Sequence, residues 1–124
     1  MKEHVWVIDD QQDILDVVQI VLDDAGYQTS TYLTGASLLQ PMEHPPDLIL
    51  LDILLSGEDG RVICRQLKSR EQTRQIPVVL LSAHFNAAKA IEECGADDFL
   101  AKPFHLDELV NTVKKNLPDD TPEK

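Results

Sequence analysis

The run Asp47-Leu-Ile-Leu-Leu-Asp52-Ile-Leu-Leu-Ser-Gly-Glu-Asp-Gly60 joins an unbroken apolar tetrad to a carboxylate and then to a turn. Leu48, Ile49, Leu50 and Leu51 show no alternation, the pattern of a short central strand covered on both faces by helices. Asp52 follows directly, which places a carboxylate at the carboxyl end of that strand, the edge where open α/β sheets bind ligands. Ser56, Gly57, Asp59 and Gly60 are turn residues that lead the chain away and leave the strand end open. Asp52 is therefore expected to be buried at its base and reachable at its tip.

Working outward, the same layout recurs. Val5-Trp6-Val7-Ile8 runs into Asp9 and Asp10, Val78-Val79-Leu80-Leu81 into Ser82, and Asp98 to Ala101 into Lys102 and Pro103. A weaker β-rich segment, Tyr27 to Tyr32, is expected at a sheet edge. Between these runs lie helical patterns. Ile14, Leu15, Val18, Val21, Leu22 and Ala25 follow a cap region at Asp13 and stop at Gly26. A second helix is expected to begin near Gly35, to include Leu38 and Leu39, and to be ended or distorted by Pro41. Val62, Ile63 and Leu67 suit a third helix, and Asn86 to Cys94 a short alanine-rich one stopped by Gly95. Leu106, Leu109, Val110, Val113 and Leu117 suit a last helix that runs from Asp107 and ends at Pro118. Ile76 and Pro77 are expected to open the strand that ends at Ser82. Five strand-helix units predict an α/β fold, a single five-stranded parallel sheet with helices on both faces, doubly wound. Residues 1–118 are expected to form one domain, and 119–124 a polar tail or linker stub.

With 124 residues the chain can build one core without staples. Its 22 acidic and 11 basic residues give a net charge of −11, the wrong sign for contact with a phosphate backbone, which argues against direct nucleic-acid binding. Cys64 and Cys94 have no CxxC spacing and read as reduced, partly buried thiols. No signal-like segment precedes the first strand and no apolar run approaches a membrane span. A soluble cytoplasmic protein is the expectation.

The parallel topology gathers Asp9, Asp10, Asp52, Ser82 and Lys102 on one edge. Three crowded carboxylates repel, and burial raises the cost of ionising them unless a cation is present. Magnesium suits the set: it takes oxygen ligands and is held by one or two carboxylates together with a phosphate, whereas zinc would want thiols and imidazoles. A carboxylate so neutralised can attack phosphorus and become an acyl phosphate, and Asp52, alone on the central strand, is best placed. Lys102 and Ser82 would then meet the phosphoryl oxygens.

In order and spacing, these residues resemble the receiver domain of two-component response regulators, over residues 3 to 118. The resemblance implies the CheY-like, flavodoxin-like form of the fold and a Mg2+-dependent phosphoryl transfer from a phosphohistidine of a sensor histidine kinase, or of a phosphotransfer protein, to Asp52. It further implies Asp10 as the direct metal ligand, Asp9 as the acid that reaches the metal through water, and the backbone carbonyl of Leu54 as another ligand. Ser82 and Phe99 match the switch pair, and Lys102-Pro103 the family's Lys-Pro pair, whose peptide bond is usually cis. The helix from Ala87 to Cys94, the last strand and the final helix form the face implied to meet an unknown downstream protein or a second copy. The resemblance also implies a domain that catalyses its own aspartyl phosphorylation and dephosphorylation but is chiefly a signalling switch. Ser56 departs from the pattern, since many members have proline there.

Each residue has a plainer reading. Asp-Asp and Lys-Pro pairs are common singly, Phe99 could be core packing, and His4, His44, His84 and His105 lack metal-like spacing, with His84 alone lying near the site. The combination is what carries the argument. A haloacid-dehalogenase-like phosphatase would need a second acid where Leu54 stands. A flavodoxin-like FMN carrier would not place Asp9-Asp10-Gln11-Gln12-Asp13 beside a phosphate. The alternative that remains is a receiver-like interaction module that is never phosphorylated.

Overall fold

The computed structural model describes residues 2–83 and 86–117. In chain order the elements are β1 (His4–Ile8), α1 (Gln12–Asp24), β2 (Gln28–Tyr32), a 3-10 turn (Ala36–Leu39), β3 (Leu48–Asp52), the two-residue strands β4 (Leu54–Leu55) and β5 (Glu58–Asp59), α2 (Gly60–Ser69), β6 (Val78–Ser82), α3 (Ala87–Cys94), β7 (Asp98–Ala101) and α4 (Leu106–Asn116). The expectations placed on His84, on Pro118 and on the tail lie outside the described residues.

Five strands form one sheet in the order β2-β1-β3-β6-β7, every pairing parallel. The order reverses direction beside β1 and β3, and a crevice opens where neighbouring connections leave to opposite faces. Strand β3 is buried at every position, which explains its unbroken apolar run. Its alternate residues serve two cores. Ile49 and Leu51 join Trp6, Ile8, Val78 and Leu80 under α2, α3 and the 3-10 turn. Leu48 and Leu50 join Val5, Val7, Val79 and Leu81 under α1 and α4. Each leucine so enclosed contributes roughly 1.5–3 kcal/mol by leaving water. Strand β2 lies at the edge, as its mixed composition predicts.

Several local expectations need correction. The second helix is only the 3-10 turn Ala36–Leu39, in which Leu38 alone is buried. Pro41, Pro45 and Pro46 deny the backbone donors that a longer helix would use, and the Gln72 amide ties down the segment that follows by donating to the Met42 carbonyl at 2.7 Å. Helix α1 begins before Asp13: Gln11 is its N-cap, and Asp13 sits in the first turn, where its charge suits the helix dipole. Ile76 and Pro77 precede β6 rather than opening it. Helix α4 begins at Leu106, capped by His105, rather than at Asp107, whereas the ends of α3 agree with the sequence. Asn86 accepts from Lys89 N–H at 3.0 Å to start α3, and Gly95, at φ +79°, ends it in the left-handed conformation.

Candidate functional site

Four strand ends meet at the crevice. Strand β1 ends directly in Asp9, which is fully buried, and then Asp10, which is half-buried. Strand β3 ends in Asp52, itself 5% exposed. Register pairs Asp52 with Leu81, so Ser82 lies one residue further along the neighbouring strand; Ser82 in turn pairs with Ala101, and its carbonyl accepts the Lys102 N–H at 3.0 Å. The result is a cavity of about 310 Å³ lined by Asp10, Gln11, Asp52, Leu54, Ser82, Ala83 and Lys102.

Backbone packing holds the floor of this cavity. The Ile53 N–H donates to the Leu81 carbonyl at 3.0 Å and the Gly60 N–H to the Ile53 carbonyl at 2.8 Å. A Cβ on residue 60 would lie 2.2 Å from the Asp52 carbonyl oxygen, so only glycine lets α2 start against the strand end. Asp9 performs a second local task, since its Oδ1 accepts the Gln11 N–H at 2.9 Å and turns the chain into α1.

The electrostatics are crowded. Asp9, Asp10 and Asp52 each place a carboxylate oxygen within 4.8 Å of the others. The Lys102 ammonium lies 2.6 Å from Asp9 Oδ2 and 3.5 Å from Asp52 Oδ2. Burial, followed by the charge of Asp9, raises the Asp52 carboxyl from 3.8 to about 6, even though Lys102 pulls it down.

The residues singled out in the sequence thus converge: Asp9, Asp10, Asp52, Ser82 and Lys102 share one site, and the Leu54 side chain, 52% exposed, reaches over its mouth. The Lys102-Pro103 peptide is cis. Phe99 lies apart from the cavity, half-buried against the core under α3 and lining a cleft with Glu108 and Thr112 of α4. Phe99, Ala101 and Ser82 share one sheet face by register and alternation. Two features were not anticipated. Ser56 donates its hydroxyl to Asp10 Oδ2 at 2.9 Å, across 46 residues of sequence. An apolar groove of about 370 Å³, lined by Ile14, Val17, Val18, Pro103, Phe104 and Leu106, shares Gln11, Ala83 and Lys102 with the cavity.

Residues 5–114 match the family model of the response regulator receiver domain. The chain belongs to this family. Solved structures agree with the assignment. The receiver domain of NtrX from Brucella abortus is 37% identical, with 91% of this chain and 97% of that one aligned at a TM-score of 0.81. The signal receiver domain of a signal transduction histidine kinase from Syntrophus aciditrophicus is 30% identical over 98% and 95%, at 0.82. The chemotaxis response regulator CheY4 of Vibrio cholerae is 25% identical over 94% and 100%, at 0.86. The receiver fold is thus met in a chemotaxis regulator and within a histidine kinase, so family membership identifies the signalling module and leaves its output open. Among the described residues of this receiver domain, no helix is long and apolar enough to cross a membrane.

Proposed function

We propose that this receiver domain takes a phosphoryl group on Asp52 from a phosphohistidine of a sensor kinase or phosphotransfer protein, in a magnesium-dependent reaction, and that the modification switches a protein-binding face. The observation that carries this reading is the placement of the Asp52 carboxylate. It is nearly buried at the end of the central strand, yet it lines an open cavity with two further acids and an ammonium close by.

The donor set suits magnesium. Three carboxylates offer hard oxygen atoms within 4.8 Å of one another, and no thiol or imidazole lines the cavity among the described residues. Asp10, Asp52 and the Leu54 carbonyl would hold the ion, with Asp9 reaching it through water. When bound, it would supply positive charge against the oxygens of the acceptor carboxylate and of the transferred phosphoryl group.

The chain's own residues then act in order. An Asp52 carboxylate oxygen attacks phosphorus, the P–N bond to the donor histidine breaks, and the departing imidazole nitrogen keeps the bonding pair and takes up a proton. The Lys102 ammonium and Ser82 hydroxyl meet the phosphoryl oxygens. Water later attacks phosphorus, releases inorganic phosphate and restores the carboxylate. Exposed Val17 and Leu106 beside the cavity mouth, 46% and 48% accessible, give a protein donor an apolar surface to rest on.

For the switch, the Ser82 hydroxyl moves towards the new phosphoryl oxygens and Phe99 turns into the space this vacates, altering the face of α3, β7 and α4 that a downstream protein or a second copy reads. We assign residues 1–118 to this unit and 119–124 to a tail or linker. The buried free thiols of Cys64 and Cys94 are in keeping with a cytoplasmic location. The test is intact mass after incubation with acetyl phosphate and magnesium. The parent chain should gain one phosphoryl group, while Asp52→Asn and the parent in EDTA should gain none; an unmodified parent would favour the phosphate-independent interaction module.

A further inference from the structure

The hydroxyl of Ser56 stands where many receiver domains have proline, and it bridges two loops at the cavity. Ser56 lies in the turn between β4 and β5, the hairpin that follows Asp52, and its Oγ donates to Asp10 Oδ2 at 2.9 Å. Asp10 belongs to the other loop, between β1 and α1. Leu54, whose carbonyl is the backbone ligand in the reading above, is two residues before Ser56 in the same hairpin and pairs there with Asp59. The Ser56 hydroxyl therefore ties together the two loops that carry a side-chain oxygen and a main-chain oxygen for one cation.

The bond also orients the carboxylate. A carboxylate that gives one oxygen to a hydroxyl proton keeps the other for a cation, and its rotation about Cβ–Cγ is restrained before any ion arrives. Magnesium demands near-octahedral geometry and tolerates misplaced ligands poorly, so restraint of this kind acts on affinity. Proline could stiffen the turn but could not donate. Gly57, at φ +74°, supplies the left-handed residue of the two-residue turn between β4 and β5 in which Ser56 lies.

We propose that Ser56 is a positioning residue for the divalent cation: it holds Asp10 and the hairpin after Asp52 in a binding geometry and takes the place of the proline through a hydrogen bond rather than through backbone stiffness. This rests on the magnesium reading above. Ser56 bonds to Asp10 and is not among the residues lining the cavity around Asp52, so its effect falls on ion affinity.

The experiment titrates magnesium chloride into the full chain of the parent, Ser56→Ala, Ser56→Thr and Asp10→Asn, following amide NMR shifts of residues 9–12 and 52–60. Thermal melts in EDTA check that each variant is folded. Ser56→Ala is expected to bind magnesium about tenfold more weakly while Ser56→Thr, which keeps the hydroxyl, stays within about twofold of the parent, the low end of the range for residues that orient a metal ligand. Affinity in Ser56→Ala equal to or tighter than the parent's, or a threonine variant as weak as the alanine one, overturns the proposal while leaving the magnesium reading intact. A parent chain whose shifts do not respond to magnesium overturns both.

Discussion

The Lys102 ammonium lies closer to Asp9, at 2.6 Å, than to Asp52, at 3.5 Å. Asp9 is fully buried and Lys102 largely so, which makes the lysine the internal counter-ion of the acidic cavity before it can serve any phosphoryl group. Removing one partner of a buried pair leaves an uncompensated charge, at a cost of about 3–5 kcal/mol. Lys102→Ala is therefore expected to lose stability of that order in urea melts without magnesium. The double variant Lys102→Ala with Asp9→Asn should recover most of the loss, and a double variant no more stable than the single one would contradict the pairing.

Asp52 carries the opposite signature. Its folded-state pKa is raised from 3.8 to about 6, chiefly by burial, so the folded chain holds a proton that the unfolded chain has already released. For a raised carboxyl, the charged form is the penalised one. Stability is thus expected to fall as pH rises between about 4 and 6 and to stay lowered above that window, by about 2–3 kcal/mol. Asp52→Asn in EDTA should lack this pH-dependent component and exceed the parent in stability at pH 7. The check is a set of urea melts from pH 4 to pH 7, and identical slopes in the two proteins would count against it.

Leu54 reaches over the cavity mouth with half its surface exposed and offers no group that could orient water. It can shield an acyl phosphate on Asp52 but cannot assist its hydrolysis. Leu54→Asn and Leu54→Glu are expected to alter the decay of the phosphorylated chain, with the glutamate variant faster by about tenfold, short of the ~10²-fold that a well-positioned general base supplies. Both variants should still be phosphorylated. Decay followed by intact mass settles the matter, and unchanged rates in both variants would remove residue 54 from the hydrolysis step.

Much of this was legible in the sequence because the fold reads out as runs and endings. An apolar tetrad closed by an acid is visible without any tertiary knowledge, and parallel topology then forces such endings onto one edge. Asp9, Asp10, Asp52, Ser82 and Lys102 were located in this way. The second helix was misjudged because Leu38 and Leu39 give a helical hint that the prolines at 41, 45 and 46 and the Gln72 contact override, and no local pattern announces a partner 30 residues away. The cap at Gln11 has no local signal because the group that turns the chain is the side chain of Asp9, a residue that also belongs to the site. The bond from Ser56 to Asp10 had no signal either. A serine in a turn reads as a turn residue, and only the folded register brings it to a carboxylate 46 positions away. The preference of Lys102 for Asp9 over Asp52 is likewise a matter of distances, which spacing does not encode.

The central claim is that the state of Asp52 is transmitted through Ser82 and Phe99 to the face of α3, β7 and α4. Ser82 is 2% exposed, and by register and alternation it shares a sheet face with Phe99. The most direct measurement is amide NMR with and without beryllofluoride, a mimic of the phosphoryl group, in the presence of magnesium, on the parent and on Ser82→Ala. Large shifts are expected across residues 82–110 in the parent. In Ser82→Ala, shifts should persist around Asp52, where the mimic still binds, and be much reduced across α3 and β7. Equally large shifts across α3 and β7 in both proteins would contradict it.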